Sequence, residues 1–262
     1  MGIPDEKIFP HATGRAQNLV HAREGAADLV FHGSWFCPFV QRAWIVLEEK
    51  KLNYQWKEIN PYKKDKEYLA INPKGLVPAL TQKGVNVTES QVIMEYLEDI
   101  SGPDVRMHPA DPLQRAVARV WMDHIAKKIV PCFFRVLQAQ ESDKQKAAEK
   151  DLLAGITEFV EAMDPEGPYF FGNWFSMVDA FLIPWLIRQP AALKQFKGFE
   201  IPKAGSPVWD RWGLWMESCA SRDSVKNTSS DQQHYLQILE RYANDTAQSE
   251  AAKATRKGEV FT

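Results

Sequence analysis

The 262-residue sequence predicts an α/β domain followed by an all-helical one. Three features point to it. Residues 28–101 alternate short apolar runs with segments of helical periodicity. The stretch SGPDVRMHPADP then packs three prolines and a glycine into 101–112, which marks a linker over 102–112. From 113 onward the apolar spacing is helical throughout.

In order, Leu29-Val30-Phe31 is a short apolar run that fits a buried strand. Pro38 opens a helix, with Val40, Ala43, Trp44 and Leu47 on one face and an end near Lys50. Proline is tolerated at a first helical position because its missing N–H would have no partner there. Tyr54 to Ile59 alternates by side and fits a second strand, and Leu76 to Leu80 a third. Gln82-Lys83-Gly84 turns the chain into a fourth, Val85-Asn86-Val87, so these two form a hairpin. Ser90 is placed to cap a helix whose apolar face holds Ile93, Met94 and Leu97. The order is β-α-β-x-β-β-α, with x the Tyr62–Ala70 segment. Beyond the linker, helices are expected over Leu113–Gln140, Ala147–Met163, Ser176–Ile187, Val208–Cys219 and Gln232–Tyr242. Residues 1–27 read as an N-terminal extension without a clean period. The polar stretch Ala243–Thr262 reads as a loose tail of the helical domain, 113–262.

Composition narrows the function. Thirty-two Lys and Arg stand against thirty-four Asp and Glu, a net charge of −2, so no basic excess answers a phosphate backbone and nucleic acid is an unfavoured partner. The longest apolar run, Ala180 to Ile187, contains a proline and falls far short of the roughly 20 residues of a membrane span, so no membrane role is expected. Three widely spaced cysteines, Cys37, Cys132 and Cys219, make neither a disulfide framework nor a metal pattern. No metal is therefore called for, and a reducing, cytoplasmic setting fits. Nine Trp suit aromatic-walled pockets, although core packing is their commoner use.

The segment Trp35-Phe36-Cys37-Pro38-Phe39-Val40-Gln41-Arg42 carries the chemistry. It sets a cysteine between strand and helix, where the unpaired N–H groups of the first turn and the helix dipole favour the thiolate. A free thiol with a pKa of about 8.5 is a few per cent ionised at pH 7; lowering it to about 6 makes thiolate the main form. Position 40, where a dithiol oxidoreductase would carry its second cysteine, is Val40. Cys37 must then exchange with an external thiol, of which glutathione is the abundant cellular example. Set against this is a buried, inert cysteine, the assignment given to Cys132 and Cys219. His32 sits near Cys37 in sequence but on the strand, and Ser176-x-x-Asp179 reads as a capping box ahead of an apolar helix.

Over residues 28–240 the sequence resembles an omega-class cytosolic glutathione transferase, fungal members in particular. The likeness lies in Cys37-Pro38-Phe39, in Asn72-Pro73-Lys74-Gly75-Leu76-Val77-Pro78, in Glu89-Ser90 and in Ser176-Met177-Val178-Asp179. The resemblance implies a thioredoxin-like N-terminal domain, an all-α C-terminal domain, a homodimer, and glutathione as co-substrate. It implies Cys37 as the catalytic residue and glutathione held by Pro38, Phe39, Lys64, Val77, Pro78, Glu89 and Ser90. Val77 before a cis Pro78 would pair with the glutathione cysteine, Glu89-Ser90 would hold its γ-glutamyl end, and Lys64, beside Lys63 and Lys66, would meet its glycyl carboxylate. A small hydrophobic or glutathionylated aromatic substrate is expected against Phe133, Phe134, Trp185, Arg188 and Tyr235. The expected activity is glutathione-dependent thiol transfer through a Cys37–glutathione mixed disulfide, extending to dehydroascorbate or glutathionyl-aromatic-ketone reduction. The alternatives are a non-catalytic, ligandin-like protein that stores small aromatic compounds, and a transferase-like subunit kept for protein partnership.

Overall fold

The structure, a computed structural model, describes residues 8–63, 65–102 and 105–261. The chain divides into two compact units. One runs up to His108 and takes in Ser221–Asp231 as well; the other holds Pro109–Ala220 and the chain from Gln232 onward.

The first unit contains α1 (Gly14–Ala22), β1 (Leu29–Gly33), α2 (Pro38–Glu49), β2 (Tyr54–Glu58), α3 (Lys66–Ile71), β3 (Ala79–Gln82), β4 (Val85–Thr88) and α4 (Ser90–Ile100). The sheet order is β2-β1-β3-β4. β1 pairs parallel with β2, Phe31 opposite Trp56, and antiparallel with β3, which pairs antiparallel with β4. Leu29 and Phe31 share one face of this central strand and are buried there, while His32 is buried on the other. Gly33 ends β1 where a Cβ would stand 2.5 Å from Val40 Cγ1; a side chain there would push α2 off the sheet. Lys83 and Gly84 both have positive φ, the backbone that a two-residue hairpin requires.

Several boundaries differ from expectation. The third strand begins at Ala79 rather than Leu76, because the Leu76 carbonyl accepts from the Tyr68 hydroxyl and the Asn72 amide instead of a neighbouring strand, and Pro78 has no N–H to give. Glu89, with φ of 70°, occupies the cap position of α4, so Ser90 is that helix's first residue and not its cap. The N-terminal extension is ordered into α1: Arg23 O accepts from Trp56 N at 2.8 Å, and Phe9 O from Trp35 Nε1 at 2.9 Å.

Residues 221–231, expected within 113–262, join the first unit through polar bonds. Gln41 Nε2 donates to Thr228 Oγ1 (3.2 Å) and Ser229 Oγ (2.9 Å). Glu49 accepts from both Arg222 Nε and Nη2 at 2.7 Å, and Thr13 N donates to Ser230 Oγ at 3.1 Å. Charge-assisted and bidentate bonds of this kind fix geometry that no apolar periodicity announces.

The second unit is helical: α5 (Pro112–His124), a π-helical turn Ile125–Ile129, α6 (Val130–Gln138), α7 (Ser142–Glu161), α8 (Met177–Leu186), a second π-helical turn Pro190–Lys194, α9 (Gln195–Lys197) and α10 (Pro207–Ser221). After α11, the short Asp223–Asn227 helix of the first unit, come α12 (Gln232–Ala243) and α13 (Glu250–Lys257). The expected single helix over 113–140 is thus broken by a π turn just before Pro131, whose ring cannot sit in an unmodified α ladder. The tail is helical rather than loose at α13. Ser249 caps it by accepting from Ala252 N, and Ala251, Ala252 and Ala254 bury a small apolar face. Capping and alanine content offset a polar composition.

Most tryptophans are core. Trp212 stacks on Trp215 at 4.9 Å beside Phe159, and Trp44 stacks on Trp56 at 4.1 Å. No helix among the described residues is long and apolar enough to cross a membrane.

Candidate active site

The turn from Gly33 to Pro38 connects β1 to α2. Cys37 N donates to Ser34 O at 3.0 Å, closing the turn, and Gln41 N donates to Cys37 O at 3.0 Å, opening the helix. Cys37 is therefore the N-cap residue of α2, with Pro38 as the first helical residue. It is partly exposed, whereas Cys132 and Cys219 are buried. Burial raises the Cys132 thiol above its ordinary pKa even though Arg135 Nη2 lies 2.8 Å from its sulfur. The three thus differ in burial, one partly exposed and two enclosed.

Two groups not singled out from sequence bear on the sulfur. Arg42, fully buried in α2, lies with its guanidinium carbon 5.2 Å from the centre of the Phe39 ring. Burial holds that guanidinium below its usual range, and the Cys37 charge pulls it back up; the same attraction favours thiolate at Cys37. Tyr68 of α3 is buried too. Its phenol is pushed well above the usual range by burial first, with Cys37 adding to the effect against a bond from Asn72. Arg42 stood inside the cysteine motif, so a cation one turn beyond the sulfur was a visible signal. Tyr68 left none.

Tyr68 also links Cys37 to the second motif. Its hydroxyl donates to Leu76 O, as does Asn72 Nδ2 at 2.8 Å, and Asn72 Oδ1 accepts from Lys74 N at 3.1 Å. These bonds shape the loop before Val77-Pro78, whose peptide bond is cis. Val77 is half-buried and Pro78 buried. The loop reaches Glu89 through Lys74 Nζ, 2.7 Å from Glu89 Oε1 on the surface, with Ser90 buried beside it at the start of α4. Leu76 and Glu89 are thus tied into one bonded stretch that carries Val77, Pro78 and Ser90, and Cys37 acts on it electrostatically through Tyr68. Phe39 is buried under Arg42. Lys64 lies outside the described residues.

In the second unit, Arg188 Cζ lies 4.6 Å from the centre of the Tyr235 ring, and Phe133 packs edge-on to Phe134, which meets Tyr242. Phe133, Phe134, Trp185, Arg188 and Tyr235 are all buried, as core residues are. His32 is tied into the sheet with a ring nitrogen 3.1 Å from Thr81 Oγ1, and burial, then Lys57, lowers its pKa to about 4. That makes it a poor base at neutral pH. Asp179 forms the expected capping box with Ser176. Among the described residues no cluster of three His, Cys, Asp or Glu side chains could hold a metal ion.

Known proteins match both units. Residues 36–100 match the model of the glutathione S-transferase N-terminal domain, and residues 120–228 that of the C-terminal domain. A probable glutathione S-transferase, parC, of Nicotiana tabacum is 31% identical over 217 residues, covering 81% of this chain and 94% of its own. The probable cytosolic glutathione S-transferase DHAR1 of Oryza sativa subsp. japonica is 30% identical over 201 residues, covering 76% and 87%. Among solved structures, glutathione transferase Omega 3C from Trametes versicolor superposes with a TM-score of 0.82 at 43% identity, covering 91% of this chain and all of that one. A four-stranded thioredoxin-like unit that presents Cys37 at a helix N-terminus, a helical second unit, and matches across both lead to one conclusion: the chain belongs to the glutathione S-transferase family, enzymes whose co-substrate is glutathione.

Proposed function

We propose that this chain is an omega-type glutathione transferase that works as a glutathione-dependent thiol transferase through Cys37. The observation that carries this is a single, partly exposed cysteine capping α2 with Val40 where a resolving cysteine would stand. The likeness to Omega 3C supports the class, and the likeness to the rice protein named DHAR1 is consistent with the chemistry.

In this mechanism a glutathionylated disulfide is attacked at its glutathione sulfur by the Cys37 thiolate. The Cys37–glutathione disulfide forms, the substrate S–S bond breaks, and the substrate leaves as thiolate. A second glutathione thiolate attacks the mixed disulfide, releasing glutathione disulfide and restoring Cys37. With an α-carbonyl thioether the leaving group is an enolate that takes a proton from water. Pro38, Phe39, Val77, Pro78, Glu89, Ser90 and Lys64 are assigned to glutathione, and Phe133, Phe134, Trp185, Arg188 and Tyr235 to a small hydrophobic or glutathionylated aromatic substrate. The helix N-terminus at Ser90 suits a carboxylate, and Glu89 an ammonium. A cytoplasmic homodimer is the assigned setting.

The test is two-substrate kinetics with hydroxyethyl disulfide, alongside a panel of glutathionylated aromatic ketones. A covalent intermediate gives parallel double-reciprocal lines, and Cys37→Ser removes the activity. Intersecting lines with full activity in Cys37→Ser would refute the mechanism.

A further inference from the structure

The residues that lead from β1 to the sulfur are held from the end of β2 and its neighbours. Ile59 N donates to Gly33 O at 2.8 Å, and the Ser34 hydroxyl donates to Ile59 O. Phe36 stacks on Tyr62 with ring centres 6.1 Å apart. Trp35 is fixed twice: its indole N–H donates to Phe9 O, and its backbone N–H donates to Glu58 Oε1 at 3.1 Å. Of these ties, the one to Glu58 alone runs through a carboxylate.

Glu58 is an unusual carboxylate. Its other oxygen, Oε2, accepts from Trp56 Nε1 at 3.0 Å, so both of its bonds come from uncharged N–H groups. Charged and titratable groups stand on every element around it. On β2, Lys57 points to the opposite face, alongside His32 of the paired strand. Farther along its own face, Tyr54 bonds Glu48 of α2, which pairs with Arg23 from the end of α1. Beyond the turn lie Cys37 and Tyr62. None of the cations among the described residues bonds Glu58. Burial raises its pKa from 4.5 to about 7, against the two N–H bonds that lower it. The carboxyl that steadies the cysteine turn therefore changes charge near neutral pH.

We propose that Glu58 is a positioning residue for Cys37, and that the reactivity of the sulfur follows the charge on Glu58 as well as its own. When ionised, Glu58 holds the Trp35 N–H by a charge-assisted bond and pins the turn. When protonated, it offers a weaker acceptor there and gives up one oxygen to O–H, and the turn loosens. Cys37 is most uniformly presented above the Glu58 transition. The inference rests on Cys37 being the working sulfur, as proposed above.

The experiment is the rate of Cys37 carbamidomethylation by iodoacetamide between pH 5 and 9, with the modified peptide identified by mass. Wild type is expected to show two inflections, one of them near pH 7. Glu58→Gln keeps an acceptor for Trp35 N–H but no charge, and is expected to show one. Superimposable wild-type and Glu58→Gln profiles overturn the proposal. A second measurement does not depend on the variant's kinetics: a ¹³C-carboxyl resonance of the labelled wild-type protein, assigned by its absence in Glu58→Gln, should titrate near pH 7 and shift its midpoint when Cys37 is alkylated. A midpoint near 4.5, or one that ignores alkylation, overturns it as well. Alkylation needs no glutathione, so failure of thiol transfer would strike the proposed function without altering this profile.

Discussion

Replacing Asp179 with alanine should cost the second unit about 4 kcal/mol. Asp179 Oδ1 accepts from Phe170 N at 2.9 Å and Trp215 Nε1 at 2.7 Å, while Oδ2 accepts from Ser176 N at 2.8 Å and Ser176 Oγ at 2.6 Å. All of these atoms are buried, and the carboxylate has no solvent exposure. Alanine strands three buried N–H donors, each at about 1–3 kcal/mol, and removes half of a capping box worth about 1 kcal/mol. Partial rescue by entering water brings the sum to about 4 kcal/mol, a large fraction of a typical domain stability. Asp179→Asn should cost about half as much, since its oxygen still serves Phe170 and Trp215 while its NH₂ faces the Ser176 N–H. Urea unfolding followed by tryptophan fluorescence measures both. A loss below about 1 kcal/mol for the alanine variant, or an asparagine variant as damaged as alanine, would refute the assignment of four bonds to one carboxylate.

Glu58 makes a pH-dependent prediction for stability. Its folded pKa lies above its ordinary value, so its contribution is present below pH 4.5 and lost as pH rises through about 7. Relative to Glu58→Gln, wild type should lose about 3 kcal/mol across that window, measured as the difference between the two stability–pH curves; parallel curves would contradict it. Gln41→Ala removes both bonds to Thr228 and Ser229, so stability should fall by about 1–2 kcal/mol and amide exchange in 221–231 should quicken selectively. Lys74→Ala frees Glu89 from its surface ion pair, and glutathione KM should change several-fold while iodoacetamide reactivity of Cys37 stays as it was.

Much of the fold was legible because periodicity and turn chemistry are local. The β1–α2 unit, the Lys83-Gly84 hairpin, α4 and the Ser176–Asp179 cap follow from spacing and residue type alone. What escaped depends on partners distant in sequence. Nothing in residues 221–231 signals that Gln41, Glu49 and Thr13 will hold them, and nothing in the polar, alanine-bearing tail outweighs its polarity until Ser249 caps it. The same holds at the site. Cys37 was legible from Pro38 and Val40, which stand beside it. Tyr68 and Glu58 are distant from the cysteine motif in sequence, and only the folded chain brings Tyr68 within electrostatic reach of Cys37 and Glu58 onto the Trp35 N–H.

The most direct test of Cys37 as a monothiol nucleophile is the intact mass of the protein after incubation with glutathione disulfide. One added glutathionyl group is expected, removable by reductant and absent from Cys37→Ser. An unmodified wild-type protein, or a Cys37→Ser variant that still gains the group, would contradict the central claim.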